Sequence, residues 1–286
     1  MRAAGGQVRN VSRSDGLGYP IATGRMATFV ACVFLLSWAV WVPMALIDAG
    51  VIDLGFRIPL LAKDIASWAP SLAALGLAAL GSVPSPRELG RALLRWRVRL
   101  AWYFVVLLGP AMLALLALAA WNAISPDAVP PLPGLFDFVY FPLVFAYVLV
   151  LGGPLGEESG WRGYLLPGLL GRMSAASAAL VVGIVWALWH TPLFWIEGTV
   201  QADLPIGWYM TMTVGLSFIY TWVFLRTQGS VLIAVLLHTA SNAWMGFLPI
   251  LPASVQPGPI GLFPVLAAVV LFLGALAATS LARRKD

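Results

Sequence analysis

Long apolar runs separated by short polar stretches dominate the pattern along this 286-residue chain. A helix that crosses a bilayer needs about 20 consecutive apolar residues. By that measure the chain predicts eight membrane-spanning helices. We expect them at about 26–47, 65–81, 101–121, 136–153, 175–195, 207–225, 230–248 and 260–281. The first run is too long for the apolar part of a cleaved signal peptide, so it is interpreted as a retained span.

Composition narrows the class of protein. The chain is 60% hydrophobic and 10% charged, with a mean hydropathy of +0.89, whereas soluble domains are about 25% charged. The predicted fold class is therefore all-α, a polytopic membrane helical bundle. The single cysteine, Cys32, lies in an apolar run, which excludes an intrachain disulfide and a thiolate metal cluster.

The basic residues predict the orientation of the bundle. If the eight spans alternate, 15 of the 17 lysines and arginines fall on one side, and only Arg57 and Lys63 fall on the other. Basic residues collect on the cytoplasmic side, so both termini are expected in the cytoplasm. The predicted organisation is a cytoplasmic tail (1–25), a transmembrane domain (26–281) and a short cytoplasmic tail (282–286). This bias also explains the net charge of +5 without a nucleic-acid partner.

One basic stretch has a pattern of its own, "SPRELGRALLRWRVRLAWYF". It has a polar start, with arginines at helical spacing and leucines and tryptophans between them. This pattern is typical of an amphipathic helix at the cytoplasmic interface. A positive topology determinant with no other role is an equally good interpretation.

Glu157, Glu158 and Arg162 form a charged cluster next to the fourth apolar run. In a helix, Glu158 and Arg162 would face each other four residues apart, in the favourable order. Glu157 would lie about 100° around the helix, free of that pair. The alternative is a cytoplasmic loop whose charges are solvated. Ionisable groups inside a bilayer are costly and are candidates for function.

The only two histidines of the chain lie deep in apolar runs. His190 follows Trp186 by four residues, and His238 precedes Asn242 by four, so each pair shares a helix face. Counting residues from the turn between the fourth and fifth spans brings Glu157 and His190 to a similar depth in the membrane. The alternative for each histidine is a packing residue held by hydrogen bonds.

One free carboxylate, two imidazoles and an amide suit hydrolysis. A glutamate can deprotonate a water molecule, and a histidine with an asparagine can donate to a developing oxyanion. No serine or cysteine is paired with a base. Zinc is the open alternative, with Glu157, His190 and His238 as the expected ligands. The metal-free mechanism, which needs no cofactor, is favoured.

Three motifs in order carry a resemblance. "EESGWRGYLLPGL" matches E-E-x-x-x-R-G-x-L-x-P, "WALWHTPLF" matches an aromatic-x-x-x-H motif, and "LLHTASNAW" contains H-x-x-x-N. Within about 140–247 the chain resembles the CPBP intramembrane proteases, which include the type II CAAX prenyl endopeptidases and the Abi proteins. The resemblance implies an eight-helix membrane fold and hydrolysis of a peptide bond.

The resemblance also implies a role for each matching residue. Glu157 would activate water, His190 would help to bind or activate it, and His238 with Asn242 would stabilise the oxyanion. Glu158 and Arg162 would form a supporting electrostatic pair. Trp186 stands where phenylalanine is common and keeps an aromatic wall. The metalloprotease label long given to such proteins leaves the metal question open.

The expected protein is an integral protein of the bacterial cell membrane. Its expected partners are the lipid bilayer and a membrane-associated peptide or protein substrate, which is prenylated if the CAAX resemblance extends to the substrate. Two other functions stay open at this stage. Intramembrane Glu and His residues also suit a proton-coupled transporter, and a non-catalytic immunity or scaffold protein would retain the same fold.

Overall fold

The computed structural model describes residues 17–251 and 261–283, and these residues contain helices and no β-strand. The α-helices are α1 (Thr23–Asp48), α2 (Leu60–Ala66), α3 (Ala69–Ala79), α4 (Pro86–Leu93), α5 (Leu100–Ile124), α6 (Phe141–Val150), α7 (Pro154–Gly160), α8 (Leu166–Leu170), α9 (Ala175–Trp189), α10 (Ile206–Arg226), α11 (Val231–Phe247) and α12 (Leu262–Ala282). Most of both predicted tails, with Arg2, Arg9, Arg13, Arg284 and Lys285, lies outside the described residues. The predicted all-α membrane bundle is confirmed.

Five of the described helices are long and apolar enough to cross a membrane: α1, α5, α9 with the 3₁₀ turn that follows it, α10 and α12. A sixth span is possible if α6 and the helical segment 154–170 are counted together, although they are bent by 42°. The α11 helix is apolar but shorter. The predicted count of eight therefore stays a prediction.

Three of the predicted spans have different bounds in the structure. The span expected at 65–81 is two helices, because α2 ends at Ala66 and α3 starts at Ala69, next to Pro70. The span expected at 136–153 begins as a 3₁₀ turn, Leu135–Val139, and its helical path continues through 154–170. In the span expected at 175–195, the α-helix ends at Trp189. The apolar composition of a run predicts that its residues lie in the membrane, but it does not predict where a helix within the run ends.

The fourth predicted span, which continues from α6 through α7 to α8, is bent at two points. Gly153 has a φ of +101°, which a residue with a Cβ rarely adopts, and this turns the chain between α6 and α7. A π-helical turn, Trp161–Leu165, then joins α7 to α8. It lies just before Pro167, whose ring would clash with the carbonyl of residue 163 in a regular α-helix. Such widened turns are frequent at functional sites.

Two glycines let α7 lie directly against the break between α2 and α3. A Cβ at Gly156 would come within 2.8 Å of Trp68, and one at Gly160 within 2.5 Å of Pro70. Small residues allow this close approach of helices in membranes. The approach buries Glu157 and Glu158, which follow Gly156 directly. The charged cluster is thus part of the protein interior, and the alternative of a solvated loop is wrong.

The two ends of the bundle differ in their charged residues. At one end, Arg95 donates to the Gln228 carbonyl, and Arg172 donates to the Ile21 carbonyl. At the other end, Arg57 pairs with Glu197, whose backbone N–H donates to Asp48. We call these the arginine-rich face and the arginine-poor face.

The helix α4 lies at the arginine-rich face. Its N-terminus has a capping box in which Ser85 and Glu88 satisfy each other's backbone N–H groups. Leu89 is its only buried residue. The predicted amphipathic helix is therefore present, but it ends at Leu93, before most of the arginines of the basic stretch.

Candidate active site

The predicted site residues converge on one cavity of about 370 Å³ inside the bundle. Glu157, His190, His238 and Asn242 all line it, and so does Trp186. They come from α7, the end of α9 and the middle of α11. The structure thus brings together the three clusters that the sequence presents separately.

Glu157 is held by two indole groups. Its Oε2 accepts a hydrogen bond from Trp186 Nε1 at 2.7 Å and a longer one from Trp161 Nε1 at 3.4 Å. Its Oε1 makes no hydrogen bond to any residue that the structure describes. The side chain is 4% exposed. One oxygen is therefore anchored, and the other is available to a molecule in the cavity.

Glu158 faces away from the cavity into a sealed cluster. Its Oε1 accepts from Arg162 Nη1 at 3.0 Å and from His238 Nδ1 at 2.8 Å. Glu158 and Arg162 are both 0% exposed, four residues apart as predicted. A buried charge is tolerated only when it is paired. This pair therefore neutralises two charges next to the cavity without lining it.

Aromatic rings complete the surroundings of Arg162. Its guanidinium lies 4.5 Å from the ring centre of Trp186 and 4.8 Å from that of Tyr220. Its Nε and Nη2 have no hydrogen-bond partner among the described residues. Cation–π attraction is strongest where water is excluded, and it offsets part of the free-energy cost of these missing hydrogen bonds. Trp186 consequently contacts both the cation and the Glu157 carboxylate.

Both histidines use Nδ1 to fix their rings. His190 Nδ1 lies 2.8 Å from the Trp186 carbonyl, and because a carbonyl only accepts, this nitrogen carries a proton. His238 Nδ1 donates to the Glu158 carboxylate. The Nε2 atoms of both rings make no hydrogen bond to described residues. A histidine whose Nδ1 is held by an oxygen has a defined orientation and a defined tautomer.

Asn242 lies one turn beyond His238 on α11. Its side chain makes no hydrogen bond within the described residues, and it lines the cavity. A neutral amide always offers two N–H donors. It can therefore donate to a bound group whatever the protonation state of its neighbours.

Several residues of the site are missing from the sequence-based prediction. Trp161 contacts Glu157 and follows it by four residues, so helical spacing contained that signal. Tyr220 is 58 residues from Arg162 along the chain, and no local pattern marks it. Gly153 is also missing from that prediction, although a Cβ there would contact the Glu157 carboxylate.

A second polar group lies in the same cavity. Lys63 pairs with Asp64, and Tyr147 OH donates to Asp64 Oδ2 at 3.3 Å. All three residues line the cavity, close to the arginine-poor face. In the sequence, Lys63 is marked only by its contribution to the positive-inside pattern.

The arrangement of the ionisable side chains bears on whether the cavity could bind a metal ion. Within the described residues, no group of three His, Cys, Asp or Glu side chains has the arrangement to hold a metal ion. Glu157, His190 and His238 share the cavity but do not form such a group. The choice between the metal-free mechanism and the zinc alternative therefore stays a prediction.

A polar cavity inside a bundle of apolar helices defines a class, the integral membrane proteins with an intramembrane site. Residues 139–244 match the family described as "Type II CAAX prenyl endopeptidase Rce1-like". The chain is also 32% identical over 144 residues to CAAX prenyl protease 2 of Methanococcus maripaludis, an alignment covering 48% of this chain and 51% of that protein. The chain thus spans about half the length of this relative. The resemblance seen in the motifs is confirmed, and the motif-bearing region is similar to the CPBP family of intramembrane proteases.

Proposed function

We propose that this protein is an intramembrane endopeptidase that hydrolyses a peptide bond in either a membrane-associated or a prenylated (CAAX-type) protein or peptide. The observation that carries the proposal is the single cavity lined by Glu157, His190, His238 and Asn242. The names of the matched family and of the archaeal relative support the same reaction class. The proposed location is the bacterial cell membrane, with both termini in the cytoplasm, as the arginine distribution favours.

Glu157 is the proposed general base. A water molecule held between Glu157 Oε1 and His190 Nε2 would attack the carbonyl carbon of the substrate while Oε1 takes its proton. Glu157 would then return the proton to the leaving nitrogen as the C–N bond breaks. The products are a carboxylic acid and an amine, and a proton then passes from the acid to the amine. The indole N–H of Trp186 fixes the other carboxylate oxygen during both transfers.

The proposed oxyanion site uses donors of two kinds. Asn242 donates as a neutral amide. His238 donates from Nε2 only as an imidazolium, because its Nδ1 proton is directed at Glu158. Glu158 would stabilise that cation. Donors fixed in a dry site before the reaction contribute most to stabilising an oxyanion.

The test uses purified protein in detergent and two series of peptides, one prenylated and one not. Wild type is compared with Glu157→Gln, which keeps the size and an acceptor for the Trp186 indole but cannot take a proton. We expect a loss of cleavage of about 10²–10⁴-fold. The matched control is Glu197→Gln, an exposed glutamate outside the cavity lining, which should cleave like wild type. Unchanged cleavage by Glu157→Gln would refute the proposed mechanism.

The same preparation tests the metal question. The proposed steps use only protein side chains, so activity should persist after treatment with a strong chelator. The metal content of the active protein, measured by mass spectrometry, should be below one equivalent. Loss of activity on chelation, with recovery on adding zinc, would replace this mechanism with a metal-dependent one.

A further inference from the structure

Within the described residues, the cavity extends toward one end of the bundle and not toward the other. Its outer lining comes from elements at the arginine-poor face, namely the start of α6, the loop 198–204, the start of α10 and the end of α11. None of its lining residues belongs to α4 or to the turns 94–99, 171–174 and 227–230, which form the arginine-rich face. The entrance and the arginines are therefore at opposite ends.

A buried layer closes the cavity toward the arginine-rich face. Trp161, Arg162, Tyr164 and Tyr220 are each 0% exposed. The Tyr164 hydroxyl bonds to Ser82, next to the end of α3, at 2.7 Å. The chain runs from this layer through α8 to the turn that carries Arg172. A peptide approaching from the arginine-rich face would have to displace the Glu158–Arg162 pair to reach Glu157.

Helix lengths give the depth of the site. His190 follows α9, whose 15 residues span about 22 Å from the arginine-rich face. The cavity lining at the other end includes the polar residues Lys63, Asp64 and Gln201. Such a lining suits a hydrated peptide chain that arrives from the arginine-poor side.

The charges of the described residues are distributed unequally between the two faces. Nine arginines lie at the arginine-rich face, and they are Arg25, Arg87, Arg91, Arg95, Arg97, Arg99, Arg172, Arg226 and Arg283. Arg57 and Lys63 are the basic residues of the described chain at the other face. Since basic residues stay in the cytoplasm, the arginine-rich face is the cytoplasmic one.

We infer that the site takes its substrate from the non-cytoplasmic side of the membrane. The substrate class is a peptide or a membrane-protein segment exposed there. The prenylated C-terminus of a cytoplasmic protein would meet the closed, arginine-rich face instead. This inference rests on the proposed endopeptidase function and specifies which side of the membrane that function serves.

Orientation is tested first, with two matched single-cysteine variants. In a Cys32→Ala background, Ala202→Cys places a thiol at the entrance, and Ala282→Cys places one at the end of α12 on the arginine-rich face. Both alanines are exposed, and neither substitution changes charge. With a membrane-impermeant maleimide on spheroplasts, we expect full labelling at position 202 and labelling at 282 only after permeabilisation. The reverse pattern would overturn the inference and leave the proposed proteolysis intact.

The substrate side is tested in the same cells by mapping new peptide termini in membrane fractions. Termini that appear with wild type and are absent with Glu157→Gln should lie on the non-cytoplasmic side, or in the non-cytoplasmic half of a span. Termini confined to the cytoplasmic side would overturn the inference while supporting proteolysis. The absence of any Glu157-dependent terminus would count against the proposed function, and the inference would fall with it.

Discussion

Glu157 and Glu158 are neighbours in the chain but lie in opposite environments. Glu158 is sealed, with a guanidinium and an imidazole on one of its oxygens. Glu157 has only indole N–H donors and keeps one oxygen toward the cavity. The charged partners of Glu158 hold its carboxylate in a buried ion pair, whereas the indole donors hold one oxygen of Glu157 and leave the other open to a bound molecule. The difference supports the proposed roles, in which Glu158 stabilises the structure and Glu157 takes part in the chemistry.

The buried Glu158–Arg162 pair should have the largest effect on the stability of the protein. Replacing Arg162 by Met leaves Glu158 buried without its main partner, which costs about 3–5 kcal/mol. We expect a large fall in the thermal unfolding temperature in detergent. The control is Arg97→Met, because Arg97 also stacks on a tryptophan, Trp96, but at the surface. Its expected effect is below about 1 kcal/mol.

A double variant sharpens the Arg162 prediction. Glu158→Gln combined with Arg162→Met removes both charges and should recover part of the lost stability, since the buried ion would no longer be unpaired. Additive losses in the two single variants and the double variant would show that the pair is not coupled.

Within the cavity, Asn242→Ala should lower the rate of peptide cleavage and leave the stability of the folded protein unchanged. Loss of one oxyanion donor lowers kcat by about 10²–10³-fold. Because Asn242 bonds to no described residue, its removal leaves no protein group unsatisfied. Peptide cleavage kinetics and thermal unfolding measure the two effects. Asn122→Ala, at an exposed position on α5, is the control. A fall in unfolding temperature with unchanged kcat would make Asn242 a packing residue.

Gly153 connects the backbone to the position of the free carboxylate. In Gly153→Ala, the new methyl group would contact Glu157 at a φ that alanine disfavours. A displacement of about 1 Å in a reacting group costs up to about 10²-fold in rate, so we expect a lower kcat with KM nearly unchanged. Gly76→Ala, in α3 with open space around it, is the control and should stabilise by about 0.5–1 kcal/mol. Equal kinetics in both variants would contradict this positioning role.

Glu88 provides a partly exposed counterpart to the two buried glutamates. Hydrogen bonds from Ser85 lower the pKa of its carboxyl group. Its contribution to stability is therefore present above the pKa of the unfolded chain and is lost as the pH falls through the lower, folded pKa. Ser85→Ala should cost about 1 kcal/mol near neutral pH.

The pH dependence of stability distinguishes the Ser85–Glu88 cap of α4 from the simpler Ser174 cap of α9. The stability difference between wild type and Ser85→Ala should narrow in acid, as Glu88 becomes protonated. Ser174 caps α9 without an acidic residue in the first turn, so Ser174→Ala should cost the same across that pH range. Thermal unfolding at several pH values measures both differences. Parallel pH profiles for the two variants would contradict the role given to Glu88.

The sequence by itself determined the features that depend on helical periodicity. The membrane class followed from apolar runs, and the facing of Glu158 and Arg162 followed from their spacing of four residues. The same spacing placed His190 one turn from Trp186, where its ring bonds the Trp186 carbonyl. These relations are local, so the 3.6-residue repeat of the helix sets them before the chain packs.

Only the tertiary structure decided which distant groups meet. Trp186 reaches Glu157 across 29 residues, and His238 reaches Glu158 across 80. The break between α2 and α3 lets α7 pack close, and this packing closes the site. Such contacts depend on how each helix is rotated and bent against its neighbours. Apolar composition is nearly the same on all sides of a membrane helix, so it contains little information about that rotation.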